Sequence, residues 1–297
     1  MGLPIGFDSV LCAVEMSPQS VPSLYNAIAL THAQGCLTAF VVAPTSRRDL
    51  EEEQRELRDG LHEFIARRVP PGYLHVPPLF AQVMHGDVAQ SILTAAHHSK
   101  YELIVLTDRA HNRVRDAFIE PVTQAVLRGA RIPVLVTPAS GTEIVSLEQS
   151  GPVFHCGRIL VAVNPADDNE ELLQTAAMMR QATNEPLLVF TVLAKGAPSV
   201  EAGELRAMVE SLQLPEDTQV AVERASTVAA GVRAIIAREG AGMIVMRPEQ
   251  EQRRFAPGAL AYEVLHQNTT LVLCVPDPAS GDALLSAEEP ASQPVRV

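Results

Sequence analysis

The chain has 297 residues, 47% of them hydrophobic and 20% charged, which is enough for two ordinary domains of about 100–150 residues each. Its net charge of −12, its 4% aromatic content and its lack of tryptophan disfavour nucleic acid as a partner, because such a surface repels phosphates and has little to stack on bases. No apolar stretch approaches the roughly 20 residues that span a bilayer, and the opening MGLPIGFDSV lacks the basic-then-apolar pattern of a secretory leader; a cytoplasmic chain with no membrane partner is expected.

In chain order, residues 1–8 read as a short tail. A first apolar run, Val10 to Val14, is followed by Ser17-Pro18 and a helix expected from Val21 to Ala33, with Gly35 in the place of a helix C-terminal glycine. A second strand is expected over Leu37 to Val42. The highly charged segment from Arg47 to Val69 carries the sparse stripe Leu50, Leu57, Leu61, Phe64 and Ile65 of a surface helix, broken by Pro70-Pro71-Gly72. Leu79 to Met84 reads as a third strand, and Asp87 can cap a helix over Val88 to His98 by accepting its free amide hydrogens. A buried run (Leu103 to Leu106), a charged loop, a helix-period segment (Phe118, Val122, Val126, Leu127) and a second run from Ile132 complete the first half.

Residues 139–156 have no sustained period and read as a linker. The same order then recurs: a strand at Ile159 to Val163, a helix from Asn169 to Ala182 opened by Asp167-Asp168, a strand at Leu187 to Leu193, a helix from Val200 to Leu212, a strand at Gln219 to Glu223 and a helix from Val228 to Glu239. From Gly242 onward the run, charged loop, helix and run return, closed again by a proline. Residues 277–297, rich in Pro, Ser, Ala and Glu, read as a disordered tail. The molecule is one module written twice.

The residues Tyr101 to Pro138 and Gly242 to Pro276, the openings Val10-Leu11-Cys12-Ala13-Val14-Glu15 and Ile159-Leu160-Val161-Ala162-Val163-Asn164, and Gly86-Asp87 before a helix resemble the universal stress protein (UspA-type) domain. The resemblance covers residues 8–138 and 157–276. It implies an α/β fold of two tandem Rossmann-like domains, each a five-stranded parallel sheet of order 3-2-1-4-5 with helices on both faces. The fifth strands, Pro133 to Val136 and Leu271 to Val275, are apolar and uncharged, which is hazardous on an open edge. Pairing them would make domains 1 and 2 an internal pseudo-dimer with one continuous sheet, and a homodimer of the tandem is a further assembly the resemblance allows.

In nucleotide-binding members of that family, a strand ending in glycine leads into Gly-x-x-Gly and, nine residues later, Gly-Ser or Gly-Thr, whose amides wrap the phosphates. The matching positions of the first half are Thr107, Ala110, Glu120 and Pro121; Pro121 has no amide hydrogen, and Glu120 would set a carboxylate beside phosphate. In the second half Arg247-Pro248-Glu249-Gln250 replaces the first glycine pair, Gly258-Ala259 keeps half of the second, and Asn164 stands where the family has an aspartate that Glu15 approximates in the first half. The ATP-binding motif is degenerate. The expectation is a non-enzymatic stress-response regulator without a cofactor, acting through protein interaction, whose partner the sequence does not name. The alternative is a stress sensor that binds ATP in domain 2 alone through Asn164, Gly258 and Ala259.

Arg109, His111, Arg113 and Arg115, with Arg253 and Arg254 in the second copy, form loops that read as solvated basic surface or as a grip on an acidic group, since guanidinium pairs bidentately with carboxylate or phosphate. Cys12, Cys36, Cys156 and Cys274 have no Cys-x-x-Cys spacing and read as buried free thiols. His97-His98 reads as a helix end whose cationic character suits the dipole, not as a metal site. Ser91, Ser211 and Ser226 lie in no Gly-x-Ser-x-Gly setting, so a hydrolase elbow has no support.

Overall fold

The computed structural model describes residues 6–43, 50–108, 122–138, 144–195, 201–248, 261, 264–265 and 270–277. Arg109, Ala110, His111, Arg113, Arg115, Glu120, Pro121, Arg253, Arg254, Gly258 and Ala259 lie outside the described residues, as do residues 278–297 of the tail.

The first half runs β1 (Phe7–Ala13), α1 (Val21–Leu30), β2 (Thr31–Ala43), α2 (Leu50–Arg68), β3 (Leu79–His85), α3 (Val88–His98), β4 (Leu103–Asp108), α4 (Val122–Gly129) and β5 (Val134–Pro138). A hairpin follows, β6 (Val145–Glu148) and β7 (Gly151–Phe154). The second half runs β8 (Ile159–Ala162), α5 (Glu170–Thr183), β9 (Leu187–Ala194), α6 (Ala202–Ser211), β10 (Gln219–Ala225), α7 (Val228–Glu239), β11 (Met243–Met246) and β12 (Leu271–Cys274).

Among the described residues ten strands form one sheet in the order β10-β9-β8-β11-β12-β5-β4-β1-β2-β3. Counted within each half, that is 3-2-1-4-5, with parallel neighbours throughout. The halves meet at β5 and β12, which pair antiparallel with Val136 opposite Val272, Leu135 opposite Leu273 and Val134 opposite Cys274. Uncharged fifth strands that would be open edges close each other.

Two apolar layers cover this sheet, and each runs through both halves. On one face Val10, Leu24, Leu61, Val105 and Leu135 share a cluster with Val161, Leu172, Leu205, Val245 and Leu273. On the other, Leu11, Ile92, Val126 and Val136 share a cluster with Leu160, Val232, Ala261, Val264 and Val272. The inner strands are buried on both faces, which explains their near-continuous apolar sequences.

Two local expectations are corrected. The first helix ends at Leu30, and Gly35 does not cap it but lies within β2. A Cβ on Gly35 would stand 2.7 Å from the Asp8 carbonyl oxygen, so close backbone approach to β1 is what requires glycine there. The segment 139–156 is not wholly irregular: Ile144, Val145, Leu147 and Phe154 are buried in the first of the two layers, and the hairpin packs on α1. His97 and His98 lie in the last turn of α3, as expected; partial desolvation, aided by Arg131 and His98, lowers the His97 pKa from its ordinary value. The Asp87 cap is as expected, its Oδ1 accepting the Gln90 amide at 2.9 Å.

Candidate functional site

Both halves open a crevice beyond the carboxyl ends of their strands, where strand order reverses between the first and fourth strands and where open α/β sheets bind ligands. The two crevices are built from matching positions. Ala13, Val14 and Glu15 at the end of β1 correspond to Ala162, Val163 and Asn164 at the end of β8; Phe40 and Val42 to Phe190 and Val192; Val88 and Ile92 on α3 to Val228 and Val232 on α7; Leu106 and Thr107 to Met246 and Arg247. The same backbone bond closes the floor of each: the Val14 amide donates to the Phe40 carbonyl at 2.9 Å, and the Val163 amide to the Phe190 carbonyl at 2.9 Å.

They differ in size and polarity. The first-half crevice is about 250 Å³ and mostly apolar, with Glu15, Gln19, Ser20, Thr107 and Thr123 as its polar lining. The second-half crevice is about 500 Å³ and is lined by Asn164, Asp167, Asn169, Thr191, Arg247 and Asp277 among its polar groups.

At the end of β4, Thr107 turns its hydroxyl to Ser23 of α1, with the two oxygens 2.6 Å apart. Beside it, Asn26 donates from Nδ2 to the Thr137 hydroxyl at 3.2 Å, and the Ser20 hydroxyl accepts the Glu15 amide at 3.2 Å. The first half therefore uses the end of β4 to anchor α1 by a buried polar cluster. The hydroxyls of Ser20 and Ser23 and the amide of Asn26 carry no signal in the sequence, because small polar residues on or beside a helix normally face water.

Arg247 does the corresponding work in the second half with a longer side chain. Its Nη1 donates to the Pro276 carbonyl at 2.7 Å and its Nη2 to the Asp168 carbonyl at 2.6 Å. It thereby bridges the loop after β8 to the chain leaving β12, while Nε is buried with no hydrogen-bond partner among the described residues. Asn164 belongs to that same loop: its Oδ1 accepts the Ala166 amide at 3.3 Å, and its carbonyl accepts Asn169 Nδ2 at 2.8 Å. Asp168 Oδ1 accepts the Glu170 amide at 3.0 Å, so the acidic run does serve the start of α5 as expected. Asp167 instead lines the crevice, a placement the helix-start reading of Asp167-Asp168 missed, and Asp277, read as the first residue of the tail, lines it too.

Among the described residues no cluster of three or more His, Cys, Asp or Glu could hold a metal, and no helix is long and apolar enough to cross a membrane. Cys12, Cys156 and Cys274 are buried, and burial pushes each thiol up to about 12, far from a reactive thiolate. Cys36 is half-buried.

Residues 6–138 match the model of the universal stress protein family. No curated protein matches the chain. Among solved structures it is similar to a universal stress protein from Archaeoglobus fulgidus DSM 4304, at 16% identity and a TM-score of 0.69, over 90% of this chain and 96% of that one. It is similar also to a functionally unknown protein from Pseudomonas aeruginosa PAO1, at 19% identity and a TM-score of 0.64, over 95% and 98%. The cytoplasmic domain of a prokaryotic cation chloride cotransporter shares 14% identity and a TM-score of 0.52, over 94% and 98%. At such identities the likeness to these structures is one of fold. The sequence match over residues 6–138 makes the first half a universal stress protein domain, and the second half repeats its strand order.

Proposed function

We propose that this protein is a non-enzymatic stress-response regulator that acts through its surfaces on other proteins, with no nucleotide as a working cofactor. The observation that supports this reading is the charge of the two crevices. Among the described lining residues the second carries Asp167 and Asp277 against Arg247, and the first carries Glu15 with no Lys or Arg. Over those described residues each is net acidic, a poor match to the charge of a triphosphate. A carboxylate about 4 Å from a phosphate repels it by roughly 1–4 kcal/mol at effective dielectrics of 80 to 20. Arg247, the cation of the larger crevice, directs both terminal nitrogens to carbonyls of its own chain.

The larger crevice favours one alternative, an adenine-nucleotide sensor that uses domain 2 only: about 500 Å³ is ample for a nucleoside, and Asn164 and Thr191 line it. Titration calorimetry with ATP and with ADP, beside nucleotide extraction from the purified protein, separates the two. Absence of heat and of extracted nucleotide is the expected result. Micromolar binding abolished by Val228→Glu in the second crevice, and untouched by Val88→Glu in the first, establishes the sensor instead.

A further inference from the structure

We propose that the first-half crevice is a binding site for a small uncharged aromatic molecule that carries one hydrogen-bond donor. Such a ligand is additional to the function proposed above, and its binding is independent of any nucleotide in the second half.

The duplication supplies a comparison within one molecule. With Phe40 matching Phe190 and Val42 matching Val192, Val41 takes the place of Thr191, and Thr107 takes the place of Arg247. The Thr107 hydroxyl is already engaged with Ser23, 2.6 Å away. The fold is kept while polar groups are withdrawn from the walls. The floor is Phe40, Ile92 and Leu106, all buried. Two valines of the lining stay open to solvent, Val88 at 38% and Val122 at 39% exposed. A concave apolar floor with uncovered apolar side chains at its mouth is the arrangement that an apolar ligand completes.

Volume sets the size of that ligand. An apolar cavity of about 150 Å³ takes benzene, and the crevice is about 250 Å³. One aromatic ring and a short arm fill it. Sites for larger, drug-sized ligands start at roughly 300 Å³.

The lining also selects against charge of either sign. Its exposed polar residues are Glu15 and Gln19, and no Lys or Arg stands among the described lining residues. A carboxylate or phosphate ligand meets a like charge at Glu15. An ammonium ligand gives up water for apolar walls, a cost that pairing with an exposed carboxylate offsets poorly. A neutral hydroxyl escapes both penalties. With the ring on the floor, its arm reaches the lip, where the Glu15 carboxylate and the Gln19 amide oxygen are acceptors for one donated hydrogen.

The test is calorimetric titration of the full chain with 2-phenylethanol, beside 3-phenylpropanoate and 2-phenylethylamine as anionic and cationic ligands of similar shape. The alcohol is expected to bind at a single site with a Kd on the order of 0.1 mM, and each charged ligand about tenfold more weakly. Val88→Phe, at an exposed position, fills the mouth and is expected to weaken the alcohol by about tenfold or more with unchanged circular dichroism. Val228→Phe, at the matching position of the second crevice, is expected to leave it unchanged. Glu15→Gln removes the like charge, so 3-phenylpropanoate is expected to gain affinity while the alcohol changes little. No saturable binding of the alcohol overturns the proposal. So does a charged ligand that binds the parent chain as tightly as the alcohol, and so does alcohol binding that Val88→Phe leaves intact.

Discussion

Leu135 and Leu273 stand opposite each other at the centre of the antiparallel ladder that joins the two halves, and neither exposes any surface. Each belongs to the apolar layer that runs beneath α1, α2, α5 and α6. A cavity there is felt by both halves at once. Leu273→Ala is expected to cost about 2–5 kcal/mol, read as a lower urea midpoint in a single transition detected by circular dichroism. Two separated transitions in the parent chain would contradict the shared layer.

Arg247 is a strut whose value can be measured. Arg247→Met keeps the length and apolar stem but removes the donors to Pro276 and Asp168. The expected loss is about 1–3 kcal/mol, the usual scale for hydrogen bonds from a charged donor. Chemical denaturation checks it; a change within about 0.5 kcal/mol would class Arg247 with ordinary surface residues.

Two glycine-to-alanine changes should move in opposite directions. A Cβ on Gly242 would lie 2.8 Å from Cys156 Cα and 3.0 Å from its carbonyl oxygen, both backbone atoms that cannot step aside. Gly203 lies in the first turn of α6 with nothing among the described residues within 4 Å of such an atom. Gly242→Ala is expected to lower the melting temperature, whereas Gly203→Ala is expected to stabilise by about 0.5–1 kcal/mol through helix propensity and a less mobile unfolded chain.

Thiol reactivity should divide the four cysteines. With burial holding Cys12, Cys156 and Cys274 up to about 12, only about one such thiol in ten thousand is ionised at pH 8. Iodoacetamide on the native protein, followed by peptide mass mapping, is expected to modify Cys36 alone, and all four once urea is added. Rapid native labelling of Cys12 or Cys274 would show that the sheet opens.

Much of this was legible in the sequence because buried parallel strands announce themselves: Leu103 to Leu106 and Leu271 to Val275 are apolar without interruption, and the repeat of run, loop, helix and run fixed the duplication. The joining of the halves followed from the neutrality of both fifth strands. The hairpin at 145–154 did not, because its strands are four residues long. Its one signal, buried Val145 and Leu147 alternating with Ser146 and Glu148, is too brief to outweigh the surrounding Ser, Gly and Pro. Gly35 misled because a glycine after a helical stretch usually ends it, whereas the contact with Asp8 that demands it is made across the sheet. At the site, the positions of Thr107, Arg247 and Asn164 could be named in advance, but their roles as anchors depend on Ser23, Pro276 and Asn169, partners that no local pattern brings together.

The seam between β5 and β12 lies within one polypeptide, so it persists at any dilution: a tether replaces mass action with a fixed effective concentration. Two separate identical subunits would be obliged to carry the same crevice twice. Here the halves are free to diverge, and the pair of crevices, one of about 250 Å³ and one of about 500 Å³, is the asymmetry that such freedom permits.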